Sequence, residues 1–303
     1  MRKYILIYLH LFLIISCNQN TKEDLTVQDI KIFKNTPAWD LTQAVDKQDI
    51  SEMKSILKED KSLLNYQEPV FGMTVLIRAI SSEKYKATKE LLENGANPNI
   101  ISKIGTTALF KAISFSWEDT KVNDDPKFVK LLLDYNADPN ISYCSPVKAG
   151  QTDPIECGTS PLMYSVSRGF EKAKLLINAG AEINYKTKSG NTPAYEALFM
   201  KDVDLAFYLI VNKNAIVTEP VYSYSLNDEN IIERDKPHYP VDLLLDWDFE
   251  IGSDEYAKKV MIVQAFQKQG VSYSERKRNI SNLILRRIKK AHPSDWQEYL
   301  KKY

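Results

Sequence analysis

The chain has 303 residues, 44% of them apolar and 26% charged, a composition that supports a sizeable buried core and excludes global disorder. Its 40 lysine and arginine residues balance 40 aspartate and glutamate residues, so no bulk field selects nucleic acid or an acidic substrate. A partner must be recognised through local features.

Arg2 and Lys3 open the chain, and the apolar run Tyr4 to Ile15 that follows is broken only by His10. The run is too short to span a bilayer and has the layout of an export signal. It ends in Ile14, Ile15, Ser16 and Cys17, which resembles the lipobox of bacterial lipoproteins, where an aliphatic and a small residue precede the cysteine that is acylated and becomes residue one. The resemblance implies a signal peptide over residues 1–16, a lipid on Cys17 that holds the chain to a membrane, and a place in the bacterial cell envelope. The outer membrane is the expected site, facing the periplasm or the outside. An ordinary secretory signal with a cysteine at its cleavage site is the alternative, and it too exports the chain. Residues 17–37 are polar and weakly periodic, a tether of roughly 25 Å root-mean-square span.

From residue 38 the pattern is helical. Leu41, Ala44, Val45, Ile50, Met53, Ile56, Leu57, Leu63 and Leu64 form a degenerate first unit. Gly72 to Ala79, Gly105 to Ala112, Gly158 to Ser165 and Gly190 to Ala197 are then four copies of one phrase. Each leads to a second phrase closing at Ala96, Ala137, Ala181 or Ala215. Thr74, Thr107, Ser160 and Thr192 stand where a helix needs a cap, and Pro161 and Pro193 just inside it, where a missing N–H costs nothing. Gly95, Asn136, Gly180 and Asn214 stand where the second helix must reverse through a left-handed residue.

These phrases resemble ankyrin repeats, and Gly72 to Gly105 is 33 residues, the period of that family. The resemblance implies an all-α ankyrin-repeat solenoid of stacked helix-turn-helix units with hairpin fingers. A capping repeat and four repeats occupy residues 38–217. A degenerate repeat at Tyr239 to Leu244 and Lys258 to Gly270, and C-terminal capping helices that include Ile280, Leu283, Ile284 and Ile288, occupy 218–303.

Gly105 to Gly158 is 53 residues. Eight of the 20 extra residues fall at 115–126, between the helices, and twelve in the finger at 141–157. Insertions in repeat arrays go to loops, often on the binding face. The finger contains Cys144 and Cys157, which in an exported protein suggest a disulfide closing about 14 residues and stabilising by roughly 3 kcal/mol. Two unpaired thiols are the other reading. Thr218 to Pro237 is a second irregular stretch, rich in tyrosine and small polar residues.

No pattern carries catalysis, a cofactor or a metal. His238 and His292 stand in no ligand-like spacing, and Gly-rich phosphate loops and Gly-x-Ser-x-Gly elbows are absent. Asp242, Asp246, Asp248 and Glu250 are expected to be a solvated acidic edge, with a cation site or an acid pair as the rival. The basic C-terminal residues, among them Arg276, Arg286, Arg287, Lys289 and Lys290, suit the outer face of a capping helix; export argues against nucleic acid.

Carried over residue by residue, the contact positions that the ankyrin resemblance implies are Lys103, Ile104, Thr106, Ser114, Phe115, Arg168, Lys188, Ser189, Asn191, Phe199 and Met200, with Trp117 beside them in the insertion. Phe115, Trp117, Phe199 and Met200 either anchor a partner or pack inward. The expected function is a monomeric, non-enzymatic scaffold for protein–protein interaction, of inhibitor or immunity type. An envelope glycan or peptidoglycan binder is the alternative.

Overall fold

Short polar residues set where the helices start. In the computed structural model, α3 (Val75–Ser81), α5 (Ala108–Ile113), α7 (Pro161–Tyr164) and α9 (Pro193–Phe199) follow Thr74, Thr107, Ser160 and Thr192. Each of these hydroxyls accepts from the backbone N–H three residues on, at 3.1–3.2 Å. Such a cap satisfies an orphan donor and stabilises by about 1 kcal/mol. The second helices are α4 (Tyr85–Glu93), α6 (Lys127–Asp134), α8 (Phe170–Asn178) and α10 (Val203–Phe207), the last extended by a π turn at Tyr208–Asn212. They reverse through positive φ at Gly95 (97°), Asn136 (62°), Gly180 (92°) and Asn214 (54°).

The structure describes residues 25–27, 29–114, 124–145, 155–222, 224–226, 232–234, 237–277 and 282–302. The signal segment, Cys17, Phe115 and Trp117 lie outside them.

The repeats stack in two layers. One consists of α1 (Trp39–Lys47), α3, α5, α7, α9 and α11 (Pro240–Leu243), each packed on the next. The other consists of α2 (Ile50–Glu59), α4, α6, α8, α10 and α12 (Asp254–Lys268). A single apolar core runs between the layers, through Leu41, Leu76, Leu109, Leu162, Leu198 and Leu244 on one side and Leu57, Leu91, Leu132, Leu176, Leu209 and Ile262 on the other. Each such buried side chain contributes roughly 2 kcal/mol, and the outcome is the ankyrin-repeat solenoid. Two of the described elements are not helical: β1 (Tyr224–Leu226) pairs antiparallel with β2 (Ile232–Arg234) in the irregular stretch.

Asparagines tie each repeat to the next. Asn65, Asn99, Asn140 and Asn184 accept through Oδ1 from the backbone N–H of Asn97, Asp138, Glu182 and Ile216, each at 2.8 Å. Asn99 and Asn140 also donate through Nδ2 to the carbonyls of Asn136 (2.9 Å) and Gly180 (3.1 Å), which are the left-handed residues that end α6 and α8.

At the C-terminal end the fully buried Trp247 donates from Nε1 to the Leu198 carbonyl at 3.2 Å, satisfying the end of α9. Lys259, also buried, donates from Nζ to the Trp247 carbonyl at 2.7 Å. α13 (Tyr273–Lys277), α14 (Asn282–Ala291) and α15 (Trp296–Lys302) follow, and the Tyr299 hydroxyl donates to the Phe249 carbonyl at 2.8 Å. The acidic stretch is solvated as expected, with Asp248 and Glu250 exposed and Asp242 and Asp246 half-buried, and two of its carboxylates also meet basic residues. Asp246 pairs with Arg287 at 3.1 Å, and Asp248 lies 3.6 Å from Arg287 and 3.9 Å from Lys201. Among the described residues no helix is long and apolar enough to cross a membrane, and no three His, Cys, Asp or Glu side chains cluster to hold a metal ion.

Candidate functional site

The finger between α6 and α7 is closed by a bond between Cys144 and Cys157, whose Cα atoms lie 4.2 Å apart. Tyr143 N–H donates to the Thr159 carbonyl at 2.9 Å and Gly158 N–H to the Tyr143 carbonyl at 2.7 Å, so the stem is a short antiparallel bridge. Its two strands reach opposite neighbours. On the Cys144 side, the backbone of Cys144 and Ser145 lies directly on Gly105 of the preceding finger, where φ is +74° and a side chain has no room. On the Cys157 side, Glu156 accepts from Ser189 of the following finger, from the backbone N–H at 3.1 Å and from Oγ at 2.8 Å.

Beneath Glu156, between α7 and α9, is a cavity of about 240 Å³ lined by Ile155, Glu156, Thr159, Met163, Tyr164, Arg168, Asn191, Glu196 and Met200. Its floor is rigid for identifiable reasons. The Phe110 ring stacks between Tyr143 and Tyr164, with centroids 5.1 and 4.1 Å away, and the Tyr164 hydroxyl lies 3.4 Å from Ser114 Oγ. The Arg168 guanidinium lies 4.0 Å over the Tyr164 ring, and its Nη1 donates to the carbonyls of Tyr164 (2.8 Å) and Val166 (3.3 Å). Asn191 donates from Nδ2 to Glu196 Oε2 at 2.9 Å, while its Oδ1 is buried with no hydrogen-bond partner. Met200, in the lining, is 49% exposed and its neighbour Phe199 58%, and Phe199 lies parallel to Tyr195 with centroids 6.3 Å apart.

Arg168, Asn191 and Met200 are thus brought together around one cavity, with Phe199 beside it. Ser114 closes α5, and Lys103, Ile104, Thr106, Lys188 and Ser189 lie on the fingers. Lys103 is exposed, but its backbone N–H donates to the Phe71 carbonyl at 2.8 Å and its ammonium to the Pro69 carbonyl, knitting it to the preceding finger. Ile104 is half-buried and packs on the core; Lys188 is exposed. Thr106 and Ser189, expected on the contact surface, are only 3% and 8% exposed. The cause is turn chemistry: Thr106 N–H donates to Ser102 Oγ at 3.1 Å, and Ser189 Oγ is shared between Thr187 Oγ1 and Glu156, both at 2.8 Å. Glu156, Tyr164 and Glu196, which line the cavity, were not singled out by the sequence. Glu196 follows the cap Thr192 by four residues, a position that the repeat phrase leaves variable.

A buried base stands next to the insertion between α5 and α6. Lys172 on α8 is 1% exposed and donates from Nζ to the Ile113 carbonyl at 3.4 Å, at the open end of α5. Burial pushes its ammonium below the ordinary lysine value, while Asp124 and Asp125 pull it back up.

The chain matches a family described as ankyrin repeats, in three copies, over residues 41–143 and 121–219, more than half of its length. It is 36% identical over 101 residues, 33% of the chain, to an ankyrin repeat protein of Acanthamoeba polyphaga mimivirus. It is 26% identical over 141 residues, 46% of the chain, to one of Fowlpox virus, and 38% identical over 72 residues, 24% of the chain, to one of Coxiella burnetii. These matches span 12%, 37% and 19% of the relatives' own lengths. Repeats of this kind generally mediate contact between proteins. On the matched residues and the two-layer stack of capped helix pairs together, the chain belongs to the ankyrin repeat family.

Proposed function

We propose that this protein is a non-enzymatic scaffold that binds another protein through the face formed by its fingers and first helices, centred on the third and fourth repeats. The observation that carries the reading is the pair Phe199 and Met200, adjacent large apolar side chains left open to solvent, of which Met200 lines a cavity. Most large apolar residues in the repeats are core, and exposed aromatic and methionine groups beside a rigid hollow are what a protein anchor engages. We further propose that a lipid on Cys17 holds the scaffold in a bacterial cell envelope, which the positive start, the apolar run and the Ile-Ile-Ser-Cys ending support. An inhibitor or immunity role fits such an anchored binder.

Affinity capture with the full chain and with the Phe199→Ala, Met200→Ala double variant tests the first part. A specific protein recovered by the parent and lost, by about a hundredfold in affinity, from the variant is expected. Recovery of no protein, or of the same proteins by both, refutes it. Retention on purified cell wall without a protein partner would favour the glycan reading instead. Metabolic labelling with a fatty acid, compared between the parent and Cys17→Ser, tests the anchor, and equal labelling refutes it.

A further inference from the structure

We infer that the Cys144–Cys157 bond is a latch that a dithiol reductant opens in the folded protein, freeing the Cys144 edge of the finger while the Cys157 edge stays in place. The inference stands apart from the protein-binding reading.

The bond is open to attack. Both cysteines are exposed, so a thiolate reaches them without prior unfolding, and exposed disulfides are the ones that thiols reduce readily. One thiolate of the reductant attacks either sulfur, the S–S bond breaks, and the other sulfur leaves as a thiolate. The second thiol of the reductant then displaces the sulfur still attached. Each departing protein sulfur takes up the proton that an attacking thiol gave to water. Two electrons pass to the chain, which ends with two thiols, and the reductant ends as a disulfide.

The two edges of the finger are held unequally. On the Cys157 edge, the Glu156 carboxylate accepts from Ser189 N–H at 3.1 Å and Oγ at 2.8 Å. The Glu156 carbonyl accepts from Thr159 N–H at 3.0 Å and Oγ1 at 2.8 Å. None of these bonds depends on the disulfide. On the other edge, Cys144 and Ser145 make no hydrogen bond among the described residues and simply rest on Gly105. Behind them Tyr143 is fixed by its backbone bonds to Thr159 and Gly158 and by the Phe110 ring. Once the sulfurs part, the Cys144 edge gains chain entropy and gives up only van der Waals contact, so it lifts just past Tyr143.

The latch sits within a row of tied fingers. Lys103 N–H donates to the Phe71 carbonyl at 2.8 Å, Ser189 bonds to Glu156, and Tyr222 N–H donates to the Ser189 carbonyl at 2.8 Å. Where those links are hydrogen bonds, the link from Cys144 and Ser145 to Gly105 is packing that the disulfide holds in place. Reduction therefore divides the row at one defined point, between the finger at Gly105 and the finger at Cys144.

Amide spectra of the isotope-labelled full chain are followed as dithiothreitol is added, with free thiols counted in parallel. The bond is expected to be reduced in the folded chain at a rate within about tenfold of that in concentrated urea. The Gly105 amide should shift and exchange about tenfold faster, while those of Gly158 and Ser189 stay as they were and the melt remains cooperative. The Cys144→Ser, Cys157→Ser double variant should show the shifted Gly105 signal without reductant and ignore dithiothreitol. Reduction only in urea overturns the inference, because the bond is then a staple that the fold protects. An unmoved Gly105, release of Ser189 together with it, or loss of the cooperative melt in the reduced chain or the double variant overturns it as well.

Discussion

Two glycines with similar backbones but different surroundings separate conformational strain from the packing of the disulfide-closed finger. Gly95 has φ +97° and open space where a Cβ would stand; Gly105 has φ +74°, and its Cβ would overlap the Cys144 carbonyl and lie 2.7 Å from the Ser145 nitrogen. Gly95→Ala should therefore cost only the left-handed strain of an L side chain, about 1 kcal/mol. Gly105→Ala carries the same strain and must also displace a backbone that the Cys144–Cys157 bond holds at both ends. Forcing a group into filled space costs a further 1–3 kcal/mol or so, for a total of about 3 kcal/mol. The extra 2 kcal/mol or so corresponds to a melting temperature roughly 4–8 °C below that of Gly95→Ala for an array of this size. Melts followed by circular dichroism, under oxidising conditions, give both numbers. Repeating them with Cys144→Ser and Cys157→Ser should shrink the gap, because the finger can then give way. If Gly105→Ala melts no lower than Gly95→Ala, the finger does not bear on the preceding repeat and the reasoning fails.

Asn140→Ala removes a bond from Glu182 N–H and one to the Gly180 carbonyl; a loss of about 1–2 kcal/mol in urea unfolding is expected, with faster amide exchange at Glu182. Lys172→Met removes a buried charge and should stabilise by about 1 kcal/mol at neutral pH. Because the folded state holds the Lys172 pKa below its unfolded value, the parent should gain stability as pH climbs towards 10.5, and the variant should not; parallel slopes in a series of melts across that range would contradict this. Tyr299 runs the other way. Burial lifts its pKa to about 12, so its contribution is complete below about pH 10 and is lost as pH rises through 12. Helicity at the C-terminal end should fall across that window, and Tyr299→Phe should flatten the alkaline profile at the cost of one hydrogen bond.

The parts of this molecule legible in its sequence are those fixed by neighbours along the chain. A hydroxyl at Thr74, Thr107, Ser160 or Thr192 can cap only the helix that follows it, and Gly95, Asn136, Gly180 and Asn214 supply left-handed turns by their own chemistry. The site was harder to see because its contacts cross repeats. Glu156 meets Ser189 at a separation of 33 residues, and nothing local in either marks the pairing. Thr106 and Ser189 misled for a related reason: hydrogen bonds inside the turn, through Thr106 N–H and Ser189 Oγ, draw a fingertip residue off the surface. Lys201, Asp246, Asp248 and Arg287 formed a single charged tie from three separate segments, where the sequence showed only an acidic stretch and a basic one. The pairing of β1 with β2 was hidden by turn-like composition, although Tyr224 and Ile232 suit strands.

The asparagine ties have a consequence for how such an array varies. The chain between the partners of the four successive rungs is 32, 39, 42 and 32 residues long, yet every rung measures 2.8 Å. The pitch of the stack is therefore set by the rungs and not by the length of chain that joins them. The surplus is accommodated without stretching the solenoid, so the chain between rungs can lengthen or change while the spacing of the repeats stays constant.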